Sequence, residues 1–520
     1  MAKKNEPESL FWADQIANKI INMKRFKYLD KPVPSLKDFT VKTSASLSGA
    51  LHIGRLSDTI RGETVQRALA DSGVKSRLIW VAEDMDPLRK VPKGVPDSYE
   101  KHIGKPVTDI PDPDGNFKSY AERHVTEYFK VIDLFVAAKM KKYSMRQEYK
   151  KGNFAPYIKK ILENTEKVVQ IQNKYRSSPL PAGWSPWNPI CDNCGKIITT
   201  HVTGLYDGIV SYQCKDYSFE NAKARGCGHK GDNDPMKFNG KLAWKSEWAA
   251  QWARWRVVSE GAGKEYQVPM SAWWVNAEIV ERVLGFPMPE PIFYEHIMID
   301  SQKMSASLGN VVYPKDWLEV APPELLRFFY NKKLMKTRSF SWQDLPKFYD
   351  DYDDHAAVYF GKKKHDNRKE EQHMKRLFEV SQISKPRLPA MPFSQAVLLS
   401  QVPGDKEKEP RIDYAAKWVE KYSPESAIRL NNIAPKATVS KLNGAQKNAL
   451  NSFAVGLKKA KTEYDIKNLS FEVAQENGLK PQEFFRAAYL VLLGKEKGPR
   501  LAPFVMAVGK AKIVKLLEKI

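Results

Sequence analysis

The pattern that most constrains the fold is a strand, a polar loop, a helix and a second strand within the first hundred residues. Residues 39–43 are rich in β-formers and lead into a loop of small residues at 44–49. A helical pattern follows from about His52 to Asp71, and Ser76–Ala82 has the composition of a buried strand. This order is typical of a parallel α/β sheet, in which ligands bind at the carboxyl ends of the strands. We therefore expect a site bordered by the first loop and by the acidic residues after the second strand.

The rest of the chain has three further regions that differ in their predicted secondary structure. Residues 119–175 have the pattern of long basic helices, a cysteine-bearing segment covers about 190–232, and strand signals largely end beyond about 346. A chain of 520 residues is long enough for about three domains. The predicted boundaries are 1–180 and 241–345 for the two parts of an α/β catalytic domain, 181–240 for an insertion, and 346–520 for a helical domain.

Composition favours a folded protein that binds a polyanion. Lys and Arg number 84 against 61 Asp and Glu, a formal net charge of +23, and such a surface attracts phosphate backbones. Hydrophobic residues make up 42% of the chain and 13 are Trp, so disorder is excluded. We find no apolar stretch typical of a signal peptide or a membrane span, and we expect a cytoplasmic protein without a membrane partner.

The four cysteines fall between positions 191 and 227, which favours a metal site over two disulfides. Cys191 and Cys194 have the spacing of a zinc knuckle, whereas twelve residues separate Cys214 from Cys227. The set can close around one ion if the intervening segment loops out, and His229 is a reserve ligand. We predict a structural Zn²⁺ held by all four thiolates. Buried free thiols are the alternative.

Two polar segments carry residues suited to phosphate binding. The segment Ser48-Gly-Ala-Leu-His-Ile-Gly-Arg55 opens a helix, where backbone N–H groups and the helix dipole attract an anion. His52 can donate to a phosphate oxygen there, and Gly54 lets a phosphate or a purine approach the backbone. The segment Lys303-Met-Ser-Ala-Ser-Leu-Gly-Asn310 offers a Lys that can neutralise charge developing on a triphosphate. Each segment alone is also compatible with an ordinary surface turn.

Together, in this order and about 250 residues apart, the two segments resemble the HIGH and KMSKS signatures of class I aminoacyl-tRNA synthetases. Both depart from the usual form. Arg55 replaces the final His of the first signature, and Ala306 and Leu308 stand where Lys is usual in and after the second. One phosphate contact is thereby in question, although Lys303 is present.

Further segments resemble class I lysyl-tRNA synthetases of the archaeal type along nearly the whole chain. They are Phe11–Ala17, Glu83–Lys90, Tyr99–Gly104, Asp109–Pro113, Asp316–Glu324 and Phe484–Arg500. The resemblance implies a Rossmann-type α/β catalytic domain with a zinc-binding insertion, followed by an all-α helix-cage domain that binds the anticodon. The implied substrates are ATP with Mg²⁺, L-lysine and tRNA(Lys), and we expect a monomer.

The same resemblance assigns the residues of the site. The implied ATP-binding residues are His52, Gly54, Arg55, Lys303, Ser305 and Ser307, of which His52 and Lys303 are catalytic. The implied lysine-binding residues are Ser46, Asp84, Trp244, Tyr266 and Tyr294. A lysine pocket needs a carboxylate for the ammonium and aromatic walls, so Glu83, Trp248 and Trp252 are further candidates. Tyr266 stands where the family usually has a His.

The predicted reaction joins lysine to ATP as lysyl-adenylate and then transfers the lysyl group to the tRNA terminal ribose. Two alternatives remain open. One is a class I synthetase with another amino-acid specificity, and the other is a tRNA-binding paralogue that no longer activates an amino acid. Arg55, Ala306 and Tyr266 are the features that keep the paralogue in consideration.

Overall fold

The computed structural model describes residues 11–47, 51–92, 94–304, 310–401, 409–428, 430–518 and 520. The chain divides into two compact units. The first comprises residues 1–318, 322–341 and 355–387, and the second comprises 319–321, 342–354 and 388–520. The segment 355–387 thus groups with the α/β part of the chain, and the four domain boundaries drawn from the sequence stay predictions.

The first unit is built on a five-stranded parallel sheet in the order β12-β11-β1-β2-β3. Its strands are β1 (Phe39–Ser46), β2 (Ser76–Glu83), β3 (Lys141–Ser144), β11 (Val257–Gly263) and β12 (Glu290–Tyr294). The central strand is β1, which pairs with β2 along its whole length. On its other side β1 pairs with β11, more than 200 residues later in the chain.

Helices cover both faces of this sheet, which buries β1, β2 and β11 almost completely. The helices of this part of the chain are α1 (Trp12–Ile21), α2 (Ile53–Asp71), α3 (Tyr120–Ile132), α4 (Met145–Lys150), α5 (Ala155–Glu163), α6 (Thr165–Lys174), α7 (Trp244–Trp255), α8 (Ala272–Ile279), α9 (Pro314–Leu318), α10 (Pro323–Asn331), α11 (Leu345–Tyr359) and α12 (Arg368–Ser381). Helix α11 crosses the boundary between the two units.

The insertion and the segment after β12 add short antiparallel strands. They are β4 (Trp187–Pro189), β5 (Thr200–Tyr206), β6 (Ile209–Cys214), β7 (Tyr217–Ser218), β8 (Lys223–Ala224), β9 (Lys230–Asn233), β10 (Gly240–Leu242), β13 (Ile297–Ile299), β14 (Gln302–Lys303) and β15 (Arg338–Phe340). Among these, β13 pairs antiparallel with β14 and parallel with β15.

The second unit has a core made of helices. Its remaining helices are α13 (Phe393–Ser400), α14 (Pro410–Tyr422), α15 (Lys436–Val439), α16 (Gly444–Lys459), α17 (Glu463–Glu476), α18 (Pro481–Leu493), α19 (Leu501–Val508) and α20 (Lys510–Leu517). Apolar side chains of α16 to α20 form one buried cluster. The predicted fold class, an α/β catalytic part followed by a helical C-terminal region, is confirmed. Within the described ranges, no helix is both long and apolar enough to cross a membrane.

The strand–helix–strand unit predicted at the start of the chain is confirmed as β1, α2 and β2. The prediction of helices alone over 119–175 is wrong at one place, because residues 141–144 form the edge strand β3. The sequence there is Lys-Lys-Tyr-Ser, and an edge strand needs no alternation of apolar residues when little of it is buried.

A buried arginine ties α10 to two other helices of the first unit. The Arg327 side chain is fully buried and forms an ion pair with Glu63 of α2. Its guanidinium also donates to the carbonyl oxygens of Phe135, Val380 and Ser381 at 2.8–3.0 Å. Nε and both terminal nitrogens of the Arg327 guanidinium therefore have hydrogen-bond acceptors, and through them Arg327 joins α12 to α10.

Helix α2 packs on β1 with no space at Gly62. A Cβ at this position would lie 2.4 Å from Cγ2 of Thr43, whose hydroxyl donates to the carbonyl oxygen of Ile79. Because Thr43 is buried and β-branched, it cannot rotate away without losing that hydrogen bond. The close approach of helix and sheet therefore requires Gly62.

We predict that Gly62→Ala lowers the stability of the protein although Ala is the better helix former. Overpacking costs ~1–3 kcal/mol, against a gain in helix propensity of ~1 kcal/mol. The measurement is the thermal unfolding midpoint of the variant and of Gly62→Ala combined with Thr43→Ser, which removes the obstructing methyl. A midpoint for Gly62→Ala at or above that of the wild type would contradict the packing described here.

Candidate functional site

His52 is the N-cap of α2 at the carboxyl end of β1. Its Nδ1 accepts a hydrogen bond from the backbone N–H of Gly54 at 3.1 Å. Burial, with a smaller contribution from the charge of Arg55, lowers the pKa of His52 to about 4, so the ring is neutral at pH 7. Because Nδ1 accepts, Nε2 carries the proton and remains available as a donor. The predicted helix start thus presents an imidazole N–H and the positive end of the helix dipole, two groups that attract an anion.

The two signature-like segments meet in space at Gly54. A Cβ on Gly54 would lie 2.7 Å from Cε1 of His52 and 3.0 Å from Cε of Met304. Met304 directly follows Lys303, so the second segment begins against the first although about 250 residues separate them in the chain. Gly54 is the residue whose missing side chain permits this contact.

Lys303 lies exposed at the end of β14, and its carbonyl oxygen accepts from the side-chain amide of Asn310 at 3.0 Å. That bond joins the two ends of the predicted loop. Ser305 and Ser307, with Ala306 and Leu308, lie outside the described residues. Arg55 is exposed on the first turn of α2.

An aromatic wall forms over the carboxyl end of the sheet. Trp244, 48% exposed, stacks on Trp248 with ring centroids 6.0 Å apart and planes 13° from parallel. Tyr266 meets both indoles edge-on, at 6.2 Å from Trp244 and 5.5 Å from Trp248. The structure therefore brings together Trp244 and Tyr266, which the sequence analysis proposed, with Trp248, which it named as a further candidate. Trp252 continues the wall into the core.

Beneath this wall lies an ion pair that the sequence analysis missed. Lys42 of β1 is fully buried, and its Nζ lies 2.6 Å from Oε1 of Glu260 on the neighbouring strand β11. The other oxygen of Glu260 accepts from the indole N–H groups of Trp248 and Trp252 at 2.9 and 2.5 Å. Every polar atom of the Glu260 carboxylate is thereby used, and the aromatic wall is fixed to the sheet.

Glu83 is the last residue of β2 and Asp84 follows it, but the two side chains have different surroundings. Glu83 is 19% exposed, lies 3.7 Å from Nζ of Lys42 and accepts from Gln251 at 3.1 Å. Burial raises the pKa of Glu83 to about 8, with Lys42 opposing the rise. Asp84 is buried, and its carboxylate accepts from the Ser144 hydroxyl and the backbone N–H of Arg146, which joins β2 to the start of α4. Between the two, Glu83 has the carboxylate that remains accessible.

Asp58 of α2 reaches the same end of the sheet. Its Oδ1 lies 3.4 Å from the hydroxyl of Tyr294, and its Oδ2 lies 3.5 Å from the backbone N–H of Ser44. A Cβ on Gly261 would lie 2.0 Å from Oδ1, so only Gly leaves room for this carboxylate above β11. Burial raises the pKa of Asp58 to about 7. Tyr294, proposed from sequence, is therefore paired with an acidic residue that was not.

Ser46 is placed beside these groups. It ends β1 directly opposite Glu83 in the β1–β2 register. The charge of Arg55 acts on both Tyr266 and Tyr294, where it opposes the rise in pKa that burial causes.

The three residues missed by sequence analysis are Lys42, Asp58 and Glu260. Lys42 and Glu260 are each the single charged residue of a buried strand, whereas Asp58 is one of several charged residues in α2. A charge in the middle of a buried parallel strand, as in Thr-Val-Lys-Thr, was the available signal.

The four cysteines come together in the insertion. One Sγ atom from each of Cys191, Cys194, Cys214 and Cys227 falls in a group whose members all lie within 4.8 Å of one another. The Sγ–Sγ distances are 3.6 Å for Cys191–Cys227 and 3.7 Å for Cys194–Cys214. The twelve-residue spacing is absorbed by the hairpin of β7 and β8, which loops out before Cys227. Tetrahedral Zn–S bonds of about 2.3 Å put sulfurs about 3.8 Å apart, so the donor set fits one zinc ion.

Comparison with known proteins gives a consistent result. Residues 10–384 match the family model described as tRNA synthetases class I (K). The chain is 29% identical to a lysine–tRNA ligase of Methanosphaera stadtmanae, over 98% of this chain and 99% of that protein. It is 30% identical to one of Methanocaldococcus jannaschii (97% and 99%) and 31% identical to one of Thermococcus kodakarensis (98% and 99%). A solved glutamate tRNA ligase from Elizabethkingia meningosepticum aligns at a TM-score of 0.41 and 11% identity, covering 92% of this chain and 98% of that one.

We predict that Lys42→Met destabilises the first unit by about 3–5 kcal/mol, because it leaves buried carboxylates without their cation. The loss should be larger at pH 8.5 than at pH 6. Without Lys42 the folded-state pKa of Glu83 rises further, so the folded protein is penalised wherever this carboxyl group must ionise. The measurement is the unfolding midpoint at both pH values, with the double variant Lys42→Met/Glu260→Gln as control. Equal losses at the two pH values would contradict the assignment.

Proposed function

This chain belongs to the class I tRNA synthetases of the lysine type, and from that premise we propose that it joins L-lysine to tRNA(Lys) while cleaving ATP to AMP and diphosphate. The observation that carries the proposal is the contact at Gly54, which brings the segment beginning at Lys303 against His52. A triphosphate bound there would meet an imidazole donor and a helix N-terminus from the first segment and the ammonium of Lys303 from the second.

In the first step, a carboxylate oxygen of lysine attacks the α-phosphorus of ATP. A bond from that oxygen to phosphorus forms, the bond to the β-phosphate bridging oxygen breaks, and diphosphate leaves with the electron pair. His52 donates from Nε2 to a phosphate oxygen, since its low pKa keeps the ring neutral and the tautomer fixed. Lys303 neutralises charge that increases in the transition state, which is the type of contact that raises the rate. ATP enters as its Mg²⁺ complex.

In the second step, the ribose hydroxyl of the tRNA terminus, the 2′ position by class I resemblance, attacks the lysyl carbonyl and AMP leaves. The chain supplies no covalent nucleophile in this scheme. Its residues hold the reactants in line and exclude water, which can account for several orders of magnitude in rate.

Lysine selection is supported by a cluster of buried carboxylates. Asp58, Glu83 and Glu260 lie around the ammonium of Lys42, and the charges of Arg61 and Lys241 act on Asp58 and Glu83 respectively. Burial raises the pKa values of Glu83 and Asp58, and a bound cation would reverse that rise. Lysine carries two ammonium groups, so we assign one to the Glu83 side, next to Ser46, and one to the pair of Asp58 and Tyr294. An uncharged analogue would leave these carboxylates unpaired and be rejected.

The aromatic wall of Trp244, Trp248 and Tyr266 would cover the apolar stem of the substrate. Tyr266 replaces the His usual in the family, and its edge-on contacts with both indoles show how the larger ring is accommodated. Asp84, which the sequence analysis proposed for the ammonium, would instead support the pocket from below through Ser144 and Arg146.

The four cysteines would hold a structural Zn²⁺. Four thiolates leave no open position, so the ion would stabilise the insertion and supply no group to the reaction. The tRNA would meet the basic surface, and bases of the anticodon would be recognised in the helical C-terminal region by stacking and hydrogen bonds to base edges.

A second candidate function is favoured by the departures at Arg55, Ala306 and Tyr266. A paralogue that binds tRNA without activating lysine would retain the basic surface and the helical region but fail to form lysyl-adenylate. The charging experiment separates the two.

We expect the purified chain to charge total tRNA with lysine alone among the amino acids, in the presence of ATP and Mg²⁺. His52→Ala and Lys303→Ala should each lower kcat by about 10²–10³, the effect of removing one transition-state donor, and leave tRNA binding nearly unchanged. His201→Ala and Lys315→Ala, at exposed positions of β5 and α9, serve as matched controls. Charging by the His52 or Lys303 variant at the wild-type rate would refute the ATP-site assignment. Binding of tRNA without charging by the wild type would favour the paralogue.

We also expect one zinc per chain in the purified protein, measured by elemental analysis. Cys194→Ser should lower the zinc content and the thermal midpoint, because the metal contributes folding energy to the insertion. Ser211→Ala, in the neighbouring strand β6, is a control that removes a polar group without touching a thiol. Metal-free protein with an unaltered midpoint would refute the zinc site.

A further inference from the structure

Arg61 is a buried arginine in the middle of α2 that the fold does not satisfy. The residue is 1% exposed, and its Nε and Nη1 have no hydrogen-bond partner among the residues that the structure describes. Burial lowers the pKa of its guanidinium. A buried charge with unused donors destabilises a protein, so its presence calls for a role other than stability.

The contacts of Arg61 lead to the amino-acid end of the site. Its guanidinium carbon lies 4.4 Å from the centroid of the Tyr294 ring and 5.4 Å from that of Tyr330. Tyr330 is itself fixed, because its hydroxyl donates to the carbonyl oxygen of Ile53 at 2.9 Å. Arg61 therefore lies between an anchored ring and the ring of Tyr294, whose hydroxyl faces Asp58.

Asp58 lies one helical turn before Arg61 and is affected by its charge. Burial and the charge of Glu260 raise the pKa of Asp58, whereas Lys42, the N–H of Ser44 and Arg61 lower it. The groups that face Asp58 from the elements around it are Lys42 on β1, Arg61 on α2, Tyr128 on α3, Glu260 on β11 and Tyr294 on β12. Loss of the Arg61 charge would leave only Lys42 and the N–H of Ser44 to oppose the effects of burial and Glu260 on the pKa of Asp58.

We propose that Arg61 is a positioning residue for lysine recognition, which holds the carboxylate of Asp58 and the hydroxyl of Tyr294 together as one ammonium-binding unit without itself contacting the substrate. The inference rests on the proposed function, because it takes Asp58 and Tyr294 as part of the lysine pocket. In this proposal Arg61 acts through Asp58 and Tyr294, and it favours lysine binding while lowering the stability of the fold.

The chain offers a matched control in Arg327. It is equally buried and also lies in a helix of the first unit, but Glu63 and three backbone carbonyls satisfy its guanidinium. Arg61→Met and Arg327→Met remove the same charge and retain a similar apolar volume. A purely structural arginine and a positioning arginine should therefore respond in opposite directions.

The experiment measures thermal midpoints, KM for lysine and for ATP, and the pH dependence of kcat/KM for lysine in the charging reaction. We expect Arg61→Met to have a midpoint equal to or above that of the wild type, with KM for lysine raised about tenfold or more and KM for ATP nearly unchanged. The acidic limb of the profile should move to higher pH, because Asp58 without Arg61 holds its proton more tightly. Arg61→Lys should restore the position of that limb. Arg327→Met should lose stability.

An Arg61→Met enzyme with the KM for lysine and the pH profile of the wild type overturns the inference. So does a variant in which both KM values rise together with a fall in the midpoint, since that is the signature of a structural role. Failure of the wild type to charge or bind lysine, measured by calorimetry with lysine alone, is a different result, because it refutes the proposed function from which the inference starts.

Discussion

The buried pair of Lys42 and Glu260 is the interaction on which the site depends. It joins the central strand of the sheet to its neighbour, and the same carboxylate receives two indole N–H groups from the aromatic wall. Removing two charges from water is costly and is repaid only when geometry and hydrogen bonding are complete. The hydrogen bonding of the Glu260 carboxylate is complete. The position of Trp248 above the strands is therefore set by a residue of the sheet, because its indole N–H donates to Glu260.

The carboxylates that Lys42 does not fully neutralise determine which ligand this end of the sheet can bind. Once Lys42 is shared between Glu260 and Glu83, the end of the sheet still carries Asp58, with its pKa raised by burial. A site of this kind is poorly satisfied when empty and is stabilised by a cation of the right length. In the proposed pocket, selectivity for an amino acid with two ammonium groups would follow from incompletely paired charges as much as from shape. The Nε and Nη1 donors of Arg61, which have no hydrogen-bond partner among the described residues, agree with the proposed role of this end of the sheet in binding.

The sequence predicts the parts of this structure that are local. The unit of β1, α2 and β2 has a periodicity and a helix start that need no tertiary information, and the cysteine cluster follows from residue type. The edge strand β3 was missed because its lysines give no apolar alternation. Asp58 and Glu260 were missed for a deeper reason. A lone acidic residue in a helix or strand has the same sequence pattern whether it faces water or a ligand, and only the register that sets Lys42 against Glu260 reveals the difference. The assignment of Asp84 as a ligand for a cation stays a prediction, and in the structure its carboxylate accepts two hydrogen bonds from Ser144 and Arg146 at the start of α4.

The strand order has a consequence for how the chain is made. During synthesis β1 can pair with β2 as soon as both have been translated, but its other neighbour β11 appears more than 200 residues later. Until β11 has been synthesised, the edge of β1 that will pair with it is unpaired, and an unpaired strand edge can pair with another chain. The side chain near the middle of that edge is Lys42, a charge that a foreign strand would have to bury without a partner. Lys42, which pairs with Glu260 in the folded protein, would thus also oppose pairing of the incomplete sheet with other chains. This effect would end when Glu260 forms the ion pair that neutralises the charge of Lys42.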